Sequence, residues 1–242
     1  YVITMDRKGT VFEDGGVAIK EDKIFAIEKT SFLEKKFSSE EVINAKRMVV
    51  MPGLIDTYGH AGHGMIGGFH HPSYGWPARQ LYWEYSTPNW WYAEAKLAAT
   101  ERLRFGTTTG ASIIGATPSR SDSPIFAYKN AEAYSEVGIK GVFGVGPPDI
   151  FVPHIDVPWS GGYLEDGKWV KKGFTYTDAL NNTLKIIDKW HLGNEEKIRI
   201  ALNPPYIFGR PGSKTRYGYD YSDEDAKLVL EKAEEMRSLA DE

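Results

Sequence analysis

Val49-Val50-Met51-Pro52-Gly53-Leu54-Ile55-Asp56-Thr57-Tyr58-Gly59-His60 is the stretch on which the reading of this chain turns. It predicts a buried strand run broken at Pro52-Gly53 and resuming at Leu54. Side chains alternate along a strand, so Asp56, Tyr58 and His60 are expected on one face. Upstream, residues 1–48 read as β-structure. Val17-Ala18-Ile19-Lys20 and Ile24-Phe25-Ala26-Ile27 flank the polar turn Glu21-Asp22-Lys23, a hairpin signal, and charged residues fill 34–47. Downstream, short apolar strands alternate with amphipathic helices, the pattern of βα units around a parallel sheet.

The first unit places a strand at Leu54–Tyr58 and a helix opening at Thr87-Pro88, with Trp90, Ala93 and Leu97 on one face and an end at Gly106. The second pairs Thr107–Ile113 with a helix carrying Ala127, Ala131 and Tyr134, ending at Gly138. The third strand is Lys140–Val145, followed by a long irregular stretch from Gly146 to Thr177 and a helix with Leu180, Leu184 and Ile187 in line. The fourth strand is Ile198–Leu202. Its helix starts at Ser222, has Asp223, Glu224 and Asp225 in the first turn, and turns Val229, Ala233 and Met236 inward. Four such units are half of an eightfold barrel. The alternatives at this point are a smaller doubly wound sheet or further units beyond Glu242.

Composition removes several classes. The 242 residues include no cysteine, which excludes disulfide scaffolds, iron–sulfur and thiolate–zinc sites, and cysteine nucleophiles. A formal charge of −4, without a Lys/Arg block, argues against a nucleic-acid partner. The longest apolar runs are too short to span a bilayer, and no secretory signal pattern stands at the N-terminus. A cytoplasmic protein is the expectation. The sequence opens on a strand in progress and closes within a helical pattern, so the front part of a longer protein is expected.

Pro52-Gly53-Leu54-Ile55-Asp56-Thr57-Tyr58-Gly59-His60 resembles the Pro-Gly-Leu-Ile-Asp-x-His-x-His first-strand metal motif of the amidohydrolase superfamily, with Tyr58 in place of the first histidine. Phe105-Gly106-Thr107-Thr108-Thr109 is similar to the family's Gly-Thr-Thr strand. Leu202-Asn203-Pro204-Pro205-Tyr206 is similar to the His-x-Pro-Tyr of the branch containing cytosine deaminase and atrazine chlorohydrolase, with Asn203 in place of the histidine. The resemblance implies an α/β fold: the first half of a TIM-type (β/α)8 barrel (49–242, stopping before strand five), preceded by part of a small β-sandwich domain (1–48). It also implies a metal-dependent hydrolase of carbon–nitrogen bonds other than peptide bonds, of deaminase, amide or carbamate hydrolase, or dechlorinase type. One divalent transition metal, zinc or iron, would activate water, and the catalytic acid–base residues would lie beyond Glu242.

His60 is the first-ranked metal ligand. A phenol must lose a proton at a pH near ~10 before it can ligate, so Tyr58 is expected to donate a hydrogen bond instead. His63 ranks second, curling back to supply the missing nitrogen, and loss of the metal ranks third. Tyr58, Trp76, Trp83, Asp149, His154 and Asn203 are the substrate-binding candidates. Trp76 and Trp83 come from an aromatic stretch, Phe69–Tyr92, that suits a flat substrate, whereas Trp90 and Trp91 read as core. Asp149 and His154 sit in a long segment that follows strand three, and ordinary loop chemistry is their bland reading. The expected partners are a small-molecule substrate, the C-terminal half of the barrel from the same or a companion chain, and further copies in a homo-oligomer. The alternatives are a non-catalytic binding protein on the same fold, or a barrel glycosidase using Glu84 and Asp149.

Overall fold

Thr107–Ile113 is rich in β-branched residues, and Lys140–Val145 and Ile198–Leu202 are short runs whose apolar side chains are Val142, Phe143 and Val145, and Ile198, Ile200 and Leu202; each forms the strand its pattern predicts. The computed structural model describes residues 1–60, 64–65, 85–114, 120–147, 159–203, 211–214 and 220–241. Two compact units emerge, Tyr1–Leu54 and Ile55–Glu242.

In the first unit, β1 (Val2–Ile3) pairs antiparallel with β2 (Val11–Phe12), and β3 (Gly15–Lys20) with β4 (Lys23–Lys29). The second pair is the predicted hairpin. Between β1 and β2 the Asp6 carboxylate accepts from the Thr10 amide at 2.9 Å and the Lys8 amide at 3.1 Å. These bonds, Thr10's first, hold its pKa below the usual carboxylate range. Two segments depart from the all-strand expectation for 1–48: residues 37–48 hold no strand, and Thr30–Lys36 is a helix. Its Leu, Glu and Lys residues are strong helix formers, and no alternation opposes them.

In the second unit, β5 (Leu54–Asp56), β6 (Thr107–Ile113), β7 (Lys140–Val145) and β10 (Ile198–Leu202) form one sheet in the order β5-β6-β7-β10. The pairs β6/β7 and β7/β10 are parallel, with Gly110 opposite Gly141 and Ile200 opposite Phe143. Helices Pro88–Arg104, Ile125–Val137, Tyr176–Trp190 and Asp223–Asp241 join or follow these strands. This is part of a (β/α) barrel, preceded by small antiparallel sheets. No helix among the described residues is long and apolar enough to cross a membrane.

The core lies between the sheet and its helices, around Trp91, Phe126, Tyr134, Ile139, Phe143 and Ile198. The helix starts follow capping chemistry. Thr87 accepts from the Trp90 amide at 3.2 Å, and Thr175 with Asp178 forms a reciprocal capping box. Gly138, at φ +84°, ends the second helix in the left-handed region that a glycine enters without strain.

Four expectations are corrected. The first helix buries Trp91, Glu94, Ala95 and Ala99 and leaves Leu97 exposed, so its inward stripe is rotated from Trp90/Ala93/Leu97. The third buries Ala179, Asn182, Thr183 and Ile186 in place of Leu180/Leu184/Ile187. In both, polar residues sit inside, where a hydrophobic count does not look for them. The stretch 146–177 also holds a hairpin, β8 (Trp159–Glu165) with β9 (Lys168–Phe174). Asp166 and Gly167 turn it, both at positive φ, as a two-residue hairpin loop requires. Finally, Val49, Leu54 and Ile55 are exposed rather than buried; the last two belong to β5, which among the described residues pairs with β6 alone.

Beyond β6, Arg120 and Asp122 form an ion pair with both side chains buried (3.0 Å). Arg120 also reaches the Ser86 carbonyl at 3.1 Å and stacks 3.8 Å over the Phe126 ring, while the Tyr163 hydroxyl donates to Asp122. Removing one partner would leave the other charged and buried. Asp122→Ala is therefore expected to lower unfolding free energy by about 3–5 kcal/mol in urea titration. Lys23→Ala, which breaks an exposed pair with Asp22, is expected to change it by less than about 0.5 kcal/mol.

Candidate functional site

The site is built at the C-terminal rim of the sheet, where barrel enzymes place their chemistry. The regular part of β5 stops at Asp56, and the chain then rejoins the sheet through one parallel bridge between His60 and Ile113. The Ile113 amide donates to the Gly59 carbonyl at 2.8 Å. Two residues apart, the Tyr58 and His60 rings meet edge to face, with centroids 5.3 Å apart and planes at 90°. Tyr58 Oη lies 2.9 Å from His60 Nε2. The phenol donates if that nitrogen is unprotonated. Both rings are exposed, Tyr58 to 63%. Partial desolvation nevertheless lowers the His60 pKa, which favours the neutral imidazole that metal ligation requires.

Behind these rings stands an ionic support. Arg102, from the last turn of the Pro88–Arg104 helix, donates to Asp56 Oδ2 through Nε at 2.9 Å and Nη2 at 2.7 Å. The other carboxylate oxygen accepts the Tyr58 amide at 3.4 Å. Arg102 also donates through Nη1 to the Tyr134 hydroxyl, which lies 3.1 Å from Ser112 Oγ. Burial raises the Tyr134 pKa, with Arg102 opposing, so the phenol stays protonated. Four elements thus share one guanidinium. Gly59 and Gly110 make room for it: a Cβ at either would stand 2.7 or 2.8 Å from the Arg102 side chain.

Asn203 follows β10, its amide donating to the Val145 carbonyl at 2.7 Å. Its Nδ2 is buried and meets no acceptor among the described residues. In the sheet order two strands, β6 and β7, separate β10 from β5, so Asn203 and His60 occupy the same rim from opposite edges. His63, Trp76, Trp83, Asp149 and His154 lie outside the described residues, as does Glu84. Trp91 is core, donating from Nε1 to Ser86 Oγ at 2.9 Å, and Trp90 packs against the same cluster. Sequence reasoning missed Arg102, Glu94, Ser112 and Tyr134 as a group. The available signal was the spacing of Glu94 and Arg102 with Trp91, Ala95 and Ala99, which sets charges on an apolar face.

Comparison with known proteins sets this geometry in context. No family model matches the chain. It is 29% identical over 211 residues to a 5-methylthioadenosine/S-adenosylhomocysteine deaminase of Syntrophobacter fumaroxidans, covering 85% of this chain and 41% of that protein. A 5'-deoxyadenosine deaminase of Methanosarcina mazei is 31% identical over 148 residues, which is 60% of this chain and 32% of that protein. The likeness is to the deaminase and chlorohydrolase branch of the amidohydrolase superfamily. Among solved structures, atrazine chlorohydrolase TrzN from Arthrobacter aurescens TC1, complexed with zinc, superimposes with a TM-score of 0.54 at 22% identity. That match covers 99% of this chain and 49% of the other. Guanine deaminase of E. coli gives 0.52 at 16% identity, over 91% of this chain and 44% of its own. These two likenesses speak for the fold. The chain spans about two fifths of the length of the curated relatives it matches.

Tyr58→Phe removes one hydrogen bond between exposed rings and is expected to change stability by less than about 1 kcal/mol. Arg102→Ala strips two charged hydrogen bonds from Asp56 and is expected to cost about 2 kcal/mol in the same chemical denaturation.

Proposed function

We propose that the chain is the metal-binding front part of a hydrolase that cleaves carbon–nitrogen bonds in a small, amino-substituted heterocycle. The observation that carries this reading is the imidazole of His60 standing beside Tyr58 at the rim of a partial barrel, in a chain similar to 5-methylthioadenosine/S-adenosylhomocysteine deaminases along most of its length. The relatives' names point to purine nucleosides as the first substrates to try. Amide or carbamate hydrolysis and dechlorination remain within the same chemistry.

A divalent zinc or iron ion fits His60 as one ligand of a set. The ring stands at the strand end, and its partial desolvation favours the neutral form that can ligate. No group of three or more histidine and carboxylate side chains able to hold an ion comes together among the described residues. We therefore assign the remaining ligands to His63 or to strands completing the barrel, from the same or a companion chain. Once bound, such an ion would lower the pKa of water toward ~7. The chain's own residues supply orientation. Asp56 fixes the Tyr58 backbone, Tyr58 fixes the plane of the His60 ring, and Asn203 offers a buried amide donor at the opposite edge of the rim. Trp76, Trp83, Asp149 and His154 are kept as substrate-contact proposals, and a cytoplasmic homo-oligomer as the proposed setting.

A second reading is a metal-free binding protein on this fold. It is favoured by the Tyr58 hydroxyl resting on His60 Nε2. Elemental analysis of the purified protein separates the two. Stoichiometric zinc or iron is expected, falling at least about tenfold in His60→Ala. Tyr58→His, which restores a second imidazole, is expected to tighten binding by a similar factor. A purified protein without stoichiometric metal would contradict the hydrolase reading and leave the metal-free binding protein; metal content unchanged in His60→Ala would remove His60 from the site.

A further inference from the structure

Among the described residues β5 has three residues and one neighbour, and beyond it a single bridge, His60 to Ile113, continues the pairing, a short ladder on which to fix a ring four positions beyond the strand's end. The Pro88–Arg104 helix supplies what the ladder lacks. Arg102 grips Asp56, four residues before His60. Glu94, eight residues earlier on the same inward face, grips the chain after it. Its Oε1 accepts the Gly64 amide at 2.5 Å and its Oε2 the Met65 amide at 2.6 Å. Glu94 is only 2% exposed, an unfavourable place for a carboxylate unless its hydrogen bonds depend on it. The approach is close enough that a Cβ at Gly64 would stand 2.9 Å from Glu94 Oε1.

We propose that Glu94 and Arg102 are positioning residues that clamp the β5 extension on both sides of His60, holding its imidazole at the rim for the metal. Eight residues of helix span about 12 Å, a rigid bar between the two grips. Arg102 acts through Asp56 and the Tyr58 amide; Glu94 acts through the turn at Gly64-Met65. The proposal rests on the metal reading above, since the ring being placed is the assigned ligand.

The test uses the full chain with Glu94→Gln, Arg102→Lys, His60→Ala and, as control, Lys96→Gln, which alters the exposed outer face of the same helix. Zinc affinity is measured by competition with a chromogenic chelator, coordination by the visible spectrum of bound Co²⁺, and backbone order by amide exchange over 57–65. Glu94→Gln and Arg102→Lys are each expected to weaken zinc by roughly 10–100-fold and to change the Co²⁺ spectrum. Lys96→Gln is expected to stay within about twofold of the parent, below the size of such ligand-support effects. Glu94→Gln is also expected to speed exchange at Gly64 and Met65. Folded variants of both residues that keep parental affinity and spectrum would overturn the proposal. Should Glu94→Gln fail to fold, Arg102→Lys decides, because it keeps the charge and one contact to Asp56. A parent that takes up no zinc, or a His60→Ala variant that takes it up equally, overturns the metal reading instead. Exchange over 57–65 then decides the clamp alone, and unchanged exchange in both variants overturns it.

Discussion

One guanidinium joins the parts that the site depends on. Arg102 leaves the end of a helix, passes beneath two glycines, and binds the carboxylate of the edge strand and the phenol of the next helix. Its charge is mostly withdrawn from water, with the side chain 15% exposed, so Asp56 and the protonated Tyr134 are its compensation. The edge strand that carries His60 is thereby tied to the core through an ionic contact rather than through apolar burial. That explains how Leu54 and Ile55 can be exposed while the residues following them still hold a defined arrangement.

The parallel strands were legible because short runs rich in β-branched and other apolar residues, bounded by charged or turn-forming segments, leave few other options. Thr107–Ile113, Lys140–Val145 and Ile198–Leu202 were read with their observed ends. Helix existence and caps were legible too, at Thr87, Gly138 and Ser222. Helix orientation was not. Glu94 and Arg102 in one helix, and Asn182 and Thr183 in another, face inward with their hydrogen bonds satisfied by backbone or by other side chains. Hydrophobic periodicity assigns such residues to solvent. The Asp166-Gly167 hairpin had a turn signature that the surrounding loop-like composition concealed.

The candidate site was legible to the extent that a two-residue spacing brings side chains together. Tyr58 and His60 do meet, and the phenol finds the imidazole nitrogen. The supports were not legible, because each reaches across tens of residues: Asp56 to Arg102 and Gly64 to Glu94 are pairings of tertiary structure. The half-barrel pattern was visible as repeated βα units, and the solved structures share that architecture over about half their length.

The proposed role of His60 as a metal ligand held at the rim is read out by anomalous diffraction from crystals of the protein equilibrated with zinc. An ion is expected about 2.0–2.1 Å from a ring nitrogen of His60. At saturating zinc, an imidazole still bonded to Tyr58 Oη with no anomalous peak beside it would remove His60 from the site.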